Sequence, residues 1–371
     1  MKLLIEKNIL LESLTNVMRA ISPKNIIPIL NGVMFDLKED GLYLTASDSD
    51  LTIRNFIPKE KIKNIAIPGK IVIQSKYLLE IIRKLPNGDI NIEVIDGLKI
   101  IISTDKTIYN LNCLDTADYP DINLEEVENP IVINSTTLKQ AINKTLFAVS
   151  TQESRPILTG INLKINGNVM ECVATDSYRL AKKTITLDNA YDSRDIVIPG
   201  KNINELDKLI TDESDVEIHV FNNKIVFKYM NYIFQSSLLS GSYPNTNNLI
   251  PTKFEFVITT SLNDYYNAID RAALLTQNKD KNIIKMETNN TELLISSYAS
   301  EIGKSEESIL INKSTEQDIS ISFSSKYMID ALKTFEDEEL IIFLNNDSSP
   351  IILKSAKDET LIQLILPIKT Y

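Results

Sequence analysis

The chain repeats itself at a fixed spacing. Pro28-Ile29-Leu30-Asn31-Gly32 returns 128 residues later as Pro156-Ile157-Leu158-Thr159-Gly160. At the same offset Ala46-Ser47-Asp48-Ser49 returns as Ala174-Thr175-Asp176-Ser177, and Ala20-Ile21-Ser22 as Ala148-Val149-Ser150. Ile67-Pro68-Gly69-Lys70 recurs as Ile198-Pro199-Gly200-Lys201 at offset 131, and Tyr119-Pro120 as Tyr243-Pro244 at offset 124, shifts that small loop insertions produce. A third, more diverged copy shows Ser75-Lys76-Tyr77 again as Ser325-Lys326-Tyr327, and Leu366-Pro367 near its end. A chain of 371 residues exceeds one ordinary core and holds three such copies, with boundaries expected at 1–125, 126–251 and 252–371. The acidic stretch Asp121 to Asn129 and the polar stretch Asn245 to Lys253 have the composition of linkers crossed by few contacts.

Within each copy the hydrophobic period changes in the same order. An amphipathic helix comes first, with Ile9, Leu10, Leu14, Val17 and Met18 in copy one, Leu138, Ile142, Leu146 and Phe147 in copy two, and Leu262, Tyr266, Ile269 and Leu274 in copy three. Short alternating strands follow, such as Phe35 to Leu37, Leu42 to Ala46 and Leu51 to Phe56, broken by turns such as Glu39-Asp40-Gly41. A second helix spans Ser75 to Leu85, Ile203 to Ile210 and Ser325 to Phe335, and strands such as Ile90 to Val94 and Leu98 to Ser103 close the copy. Each copy is therefore α+β, two helices against antiparallel sheet.

Composition removes most chemistries. The one histidine, His219, lies in Val216-Glu217-Ile218-His219-Val220 and is expected on the outward, half-solvated face of a strand, with no chemical role. No two of the ten glycines are closer than seven residues, which excludes the dinucleotide fingerprint and the phosphate loop. Asp48-Ser49-Asp50 and Asp105 lack the partners of a calcium loop or paired-acid site, so no catalytic residue, metal or cofactor is expected. The two cysteines, Cys113 and Cys172, are too few for a disulfide scaffold and suit a reducing cytoplasm. No apolar run approaches a membrane span and no export signal opens the chain, so a soluble protein with no membrane partner is expected. A net charge of −11 argues against a plain basic coat for nucleic acid. The six helices nevertheless hold 11 basic and 7 acidic residues, leaving +4 there against −15 elsewhere, the segregation expected if helices face a polyanion.

Three tandem α+β copies, Ala174-Thr175-Asp176-Ser177-Tyr178-Arg179-Leu180-Ala181 and the ending Leu364-Ile365-Leu366-Pro367-Ile368 together resemble the bacterial DNA polymerase III beta subunits, the sliding clamps, over the whole chain. The resemblance implies three copies of the DNA clamp (processivity) fold, with two protomers joined head to tail into a ring, antiparallel sheets outside and helices lining the hole. It implies a processivity factor without a catalytic site of its own, which encircles duplex DNA without reading sequence. It further implies phosphate-facing residues Lys24, Lys76, Arg83, Lys139, Gln152, Arg155 and Lys201. A hydrophobic groove for partner peptides is implied at Leu158, Thr175, Ser177, Tyr178, Arg179, Leu180, Pro244, Leu249, Tyr327, Pro350, Leu364, Leu366, Pro367 and Ile368. Its partners would be the DNA polymerase III alpha subunit, the clamp loader, repair polymerases, ligase and mismatch-repair proteins. The homodimer contact is implied at Tyr109 and Leu111 of one protomer against Leu274 and Leu275 of the next. Asn248, where the family often has arginine, and the ending Lys369-Thr370-Tyr371 depart from the family pattern. A clamp paralogue with an inhibitor-sequestering or non-replicative role is the alternative the resemblance leaves open.

Overall fold

The computed structural model describes every residue except Gly97, Asn123, residues 277–281, Thr370 and Tyr371, so the Thr370-Tyr371 ending lies outside the described residues. Copy one runs β1 (Lys2–Glu6), α1 (Lys7–Val17), β2 (Gly32–Leu37), β3 (Gly41–Ser47), β4 (Leu51–Pro58), β5 (Ile62–Ile67), β6 (Gly69–Gln74), α2 (Ser75–Lys84), β7 (Asp89–Ile95), β8 (Lys99–Ser103) and β9 (Ile108–Leu114). Copy two runs β10 (Ile131–Asn134), α3 (Ser135–Thr145), β11 (Gly160–Thr175), β12 (Arg179–Pro199), α4 (Gly200–Leu209), β13 (Asp215–Val220), β14 (Lys224–Tyr229) and β15 (Tyr232–Ser237). Copy three runs β16 (Phe256–Ser261), α5 (Leu262–Ala273), β17 (Ile283–Asn289), β18 (Glu292–Ala299), β19 (Gly303–Leu310), β20 (Asn312–Lys313), β21 (Ser320–Ser324), α6 (Ser325–Leu332), β22 (Glu339–Leu344), β23 (Ile351–Ser355) and β24 (Leu361–Ile365). The six helices and their order match the periodicity, and no helix among the described residues is long and apolar enough to cross a membrane.

The chain divides into two compact units, Met1–Leu138 with Lys201–Leu238, and Lys139–Gly200 with Leu239–Tyr371. Copy two is thus shared between them, because strand pairing runs across the copies. In the first unit the sheet order is β10-β13-β14-β15-β4-β3-β2-β6-β9-β8-β7-β1-β5, with β15 of copy two antiparallel to β4 of copy one. In the second unit β11-β12-β24-β23-β22-β16-β20 form one sheet and β19-β18-β17-β21 another, with β24 of copy three antiparallel to β12 of copy two. In both units the last strand of a copy docks on the strand that follows the Asp-Ser turn of the copy before it.

The repeated motifs have local physical causes. Pro28 and Pro156 begin 3-10 turns that bury Leu30 and Leu158. Gly32 and Gly160 then start strands where a side chain has no room: a Cβ on Gly32 meets Val72 Cγ1 at 2.5 Å, and one on Gly160 meets Ile198 O at 2.5 Å. Tyr119 joins Ile29, Leu30 and Val72 in a small cluster, and Tyr243 packs on Val173, Leu180, Ile352 and Leu364. Burial raises both phenols above their ordinary range, so each acts as an apolar plug with one polar tether. Tyr119 Oη donates to Thr45 O at 3.3 Å, and Tyr243 Oη accepts from Thr175 N–H at 3.0 Å.

Three expectations are corrected. His219 is not on a solvated face but 1% exposed, with Nδ1 accepting the Val127 N–H at 3.0 Å and Nε2 3.3 Å from Glu217 Oε2. The strand alternates as expected, but Glu125 to Val127 lie over its outer face, where Glu126 pairs with Lys228 and Glu125 lies 3.7 Å from Lys224. The acidic stretch is therefore docked and is not a bare linker; likewise Ile250 and Phe254 of the second stretch pack on the Val173 cluster. Finally, α5 buries Tyr265, Ala268, Ile269, Ala272 and Ala273, with Leu262 and Tyr266 half-covered, while Leu274 stands beyond the helix end and is 63% exposed. The inward face of the helix shares one buried cluster with Met328, Ala331 and Leu332 of α6.

Candidate functional site

The turn between β11 and β12 is built by its own side chains. Asp176 Oδ1 accepts the backbone N–H groups of Tyr178 at 2.9 Å and Arg179 at 3.0 Å, and Thr175 Oγ1 donates to Arg179 O at 2.6 Å. Ser177 sits at φ 77°, in the left-handed region. Copy one repeats the device, with Asp48 Oδ1 accepting from Asp50 at 3.1 Å and Leu51 at 2.8 Å, and Ser49 at φ 78°. The recurrence of Ala-x-Asp-Ser is thus turn chemistry first.

What distinguishes copy two is the material brought to that turn. The β12–β24 ladder sets Arg179 opposite Ile365 and Leu180 opposite Leu364, and β23 continues it with Ile351 opposite Ile365. This register brings Pro350 to the level of Leu366 at the end of the ladder. Leu366 N–H then donates to Tyr178 O at 2.9 Å and Ile368 N–H to Ser322 O at 2.7 Å, which fixes the terminal segment.

Arg179 organises the centre. It is 9% exposed, with Nε 3.0 Å from Asp176 Oδ2 and Nη1 2.7 Å from Asp330 Oδ2. Its guanidinium lies 4.6 Å from the Tyr327 ring centre and 5.2 Å from that of Phe147. Tyr178 and Tyr327 stack at 6.3 Å with 22° between planes, and burial followed by the nearby Asp176 charge raises the Tyr327 phenol. Two carboxylates and two rings offset the desolvation of one cation.

The fourteen expected groove residues share the second unit but divide by exposure. Leu158, Thr175, Leu180 and Leu364 are buried and form the closed layer beneath, and Arg179 is buried by its partners. Tyr178, Leu249, Leu366, Ser177 and Pro244 are exposed, and Tyr327, Pro350, Pro367 and Ile368 are half-buried, so these make the accessible rim. A pocket of about 230 Å³ beside Tyr178 is lined by Ser150, Gln152, Ser154, Arg155, Leu158, Asp176 and Ser177. Two of its lining residues, Gln152 and Arg155, are among those expected to face DNA, and Arg155 Nη1 lies 3.5 Å from Ser177 Oγ. Asp330, Phe147 and Tyr243 were missed by the sequence reading; only Tyr243 carried a signal, as half of a repeated dipeptide. Among the described residues no three His, Cys, Asp or Glu side chains gather to hold a metal ion.

The other expected DNA contacts are scattered over both units. Lys24, Lys76 and Gln152 are exposed, and Lys139 is half-buried on α3. Arg83 pairs with Glu80, and Lys201 Nζ lies 3.1 Å from Asp50 Oδ2, so both already have carboxylate partners. Tyr109 and Leu111 are half-buried on β9, Leu274 is exposed and Leu275 half-buried.

Below the groove a charged cluster fastens copy three to copy two. Lys183 Nζ donates to Asp358 at 2.7 and 2.9 Å and to Thr360 Oγ1 at 2.6 Å, with Lys144 Nζ 3.6 Å from Asp358. Burial works to raise the Asp358 carboxyl, but the hydrogen bonds from Lys183 and Thr360 and the charges of Lys183 and Lys144 outweigh it and hold the group at about 2. A carboxyl depressed in the folded state contributes stability above its unfolded pKa, near about 3.9, and loses that contribution as pH falls through the folded value. The stability difference between the native chain and Asp358→Asn is therefore expected to narrow from about pH 4 to about pH 2. Urea unfolding across that range checks it; a constant difference contradicts the assignment.

Three family models match successive parts of the chain: the DNA polymerase III beta subunit N-terminal domain at residues 1–124, its central domain at 132–245 and its C-terminal domain at 247–369. The beta sliding clamp of Bacillus subtilis (strain 168) is 41% identical over 378 residues, and that of Staphylococcus aureus (strain Mu50 / ATCC 700699) 37% over 376, each with all of both chains covered. The crystal structure of the DNA polymerase sliding clamp from Bacillus subtilis superposes with a TM-score of 0.97 at 40% identity, again over all of both chains.

Proposed function

Because the chain belongs to the DNA polymerase III beta subunit family and is a DNA sliding clamp, a processivity factor of replication, we propose that two copies close into a homodimeric ring around duplex DNA. The observation that carries this reading is the strand pairing between copies. β15 docks on β4 and β24 on β12, whereas the Ile108–Asn112 stretch of β9 pairs only with β8, and β19 pairs only with β18, among the described residues. Pairing β9 of one protomer with β19 of its partner repeats the internal contact twice. A heterologous contact that closes after two copies gives a ring, covers both open edges and leaves no filament end. Tyr109, Leu111, Leu274 and Leu275 belong to that contact in this reading, and the working domains are 1–125, 126–251 and 252–371.

The ring acts by enclosure and needs no catalytic centre. Lys24, Lys76, Arg83, Lys139, Gln152, Arg155 and Lys201 offer phosphates weak, screened contacts without base readout. Arg83 and Lys201 reach DNA only by exchanging a carboxylate for a phosphate, which keeps the attraction shallow and the ring free to slide. The rim around Tyr178, Leu249, Leu366 and Ile368 accepts short apolar peptide segments of the replicative polymerase's alpha subunit, the clamp loader and repair proteins. Unpaired, buried Cys113 and Cys172 suit a cytoplasmic setting.

The test loads the protein onto a nicked DNA circle with a cognate loader and ATP, washes at high salt and then linearises the circle. Salt removes phosphate contacts but not topology, so retention is expected to fall by about tenfold or more on cutting. Equal retention on circle and linear DNA sinks the ring. Retention on neither, with a loader proven active on another clamp, favours the inactive paralogue.

A further inference from the structure

The corner where the first helix of a copy begins and the second ends is built the same way three times. The first residue of the first helix donates its backbone N–H to a carbonyl just beyond the second helix: Lys7 to Gly88 O at 2.9 Å, Ser135 to Ser214 O at 2.8 Å and Leu262 to Glu338 O at 2.8 Å. The side chains at that position differ. In copy one Lys7 is 8% exposed, and its ammonium donates to Leu85 O, just past the C-terminal end of α2, and to Asn87 Oδ1 at 3.5 Å. In copy two Ser135 Oγ donates to Asp212 O at 2.9 Å and accepts the Ser214 N–H at 3.0 Å. These two copies thus close the corner with a polar side chain of their own. Leu262 has no such atom, and in copy three a cavity of about 630 Å³ stays open there, floored by Leu262, Tyr266 and Leu332 and walled by Asp337, Glu338 and Glu339. The wall is also more acidic than its counterpart, since Pro86-Asn87-Gly88-Asp89 of copy one becomes Glu336-Asp337-Glu338-Glu339. Glu336 lies 3.6 Å from Lys144, and Asp337 accepts from Ser355 Oγ and lies 3.8 Å from Lys357. Glu338 and Glu339 are exposed and form no ion pair among the described residues.

We propose that this corner of copy three is a docking pocket for a lysine of a partner protein, an ammonium supplied from outside where copy one supplies Lys7 from within. The C-terminal end of α6 and the two glutamates attract a cation, and the apolar floor covers its four-carbon stem. The cavity has more room than one such stem fills, so it also admits an apolar neighbour of that lysine, which a free amine lacks. The acidic wall repels phosphates, which makes the occupant a protein segment and not DNA. Lysine fits better than arginine because a compact ammonium can enter a corner that a flat guanidinium spans. The pocket shares no residue with the groove at Arg179, so it is a second docking point and does not depend on the ring reading.

The probe is the peptide acetyl-Leu-Lys-Leu-amide, titrated onto the full chain with its leucine methyl groups labelled for NMR. Saturable shifts are expected at Leu262 and Leu332. Acetylating the lysine of the probe, or combining Glu338→Gln with Glu339→Gln in the protein, is expected to weaken binding by about fivefold or more, the loss of one or two partly exposed ion pairs. Leu262→Lys is expected to fill the corner as Lys7 does and to abolish the shift at Leu332, while the leucine signals of copies one and two keep their positions and report an intact fold. No shift at either methyl overturns the proposal, and so does equal binding of the acetylated probe or undiminished binding to Leu262→Lys. Butylamine binding as tightly as the peptide overturns the protein partner, since the apolar neighbours then contribute nothing.

Discussion

Arg179→Ala lowers the free energy of unfolding by about 3–5 kcal/mol, the loss expected when one member of a buried charge set is removed. The deletion leaves Asp176 and Asp330 facing each other's field across an empty site and removes the cation from between Phe147 and Tyr327. Asp330 retains access to solvent, at 31% side-chain exposure, which places the effect toward the lower end of that range. Arg179→Lys keeps the charge but cannot lie flat on a ring while reaching two carboxylates, so it recovers only part of the loss. Urea unfolding with an unchanged m value measures both, and a loss under about 1 kcal/mol for alanine refutes the buried-network description. The same variant is expected to weaken binding of apolar partner peptides by about tenfold, because Tyr178 and Tyr327 lose the group that fixes their stack. A purely structural role predicts instead that binding recovers fully in whatever fraction remains folded.

Gly160→Val costs about 3 kcal/mol by overpacking. A Cβ at Gly160 meets Ile198 O at 2.5 Å, Val197 Cγ1 at 2.7 Å and Leu239 Cδ1 at 2.8 Å. The first of these is backbone held in the β11–β12 ladder, where Gly160 pairs with Pro199 and Ile161 with Ile198, so it cannot withdraw without breaking strand pairing. Gly167→Asn is the matched control: it lies on the same strand at φ +59° with no atom near its Cβ, and asparagine tolerates that conformation. Its effect is expected to stay within about 1 kcal/mol. Thermal or urea unfolding of the two variants side by side decides it; equal losses mean that backbone freedom, and not space, is what glycine supplies at 160.

Whatever rests on neighbours close along the chain is legible in the residues alone. Helical and strand periods placed all six helices, the turn chemistry of Asp48-Ser49 and Asp176-Ser177 repeated visibly, and Pro-Ile-Leu-x-Gly and Tyr-Pro marked the same corners in successive copies. The groove residues were named only through family resemblance, and their division into a buried layer and an exposed rim was not legible. That division follows from β24 pairing with β12 in one register, which covers Leu180 and Leu364 and leaves Tyr178 and Leu366 outside. Asp330 and Phe147 reach Arg179 from distant segments, and no local pattern distinguishes them from ordinary surface acid and core aromatic. His219 shows the same limit: alternation gave its side of the strand correctly, but only the docking of Val127 made that side an interior. Periodicity fixes which way a side chain points, while sheet order and register fix what it meets, and burial and charge pairing belong to the second.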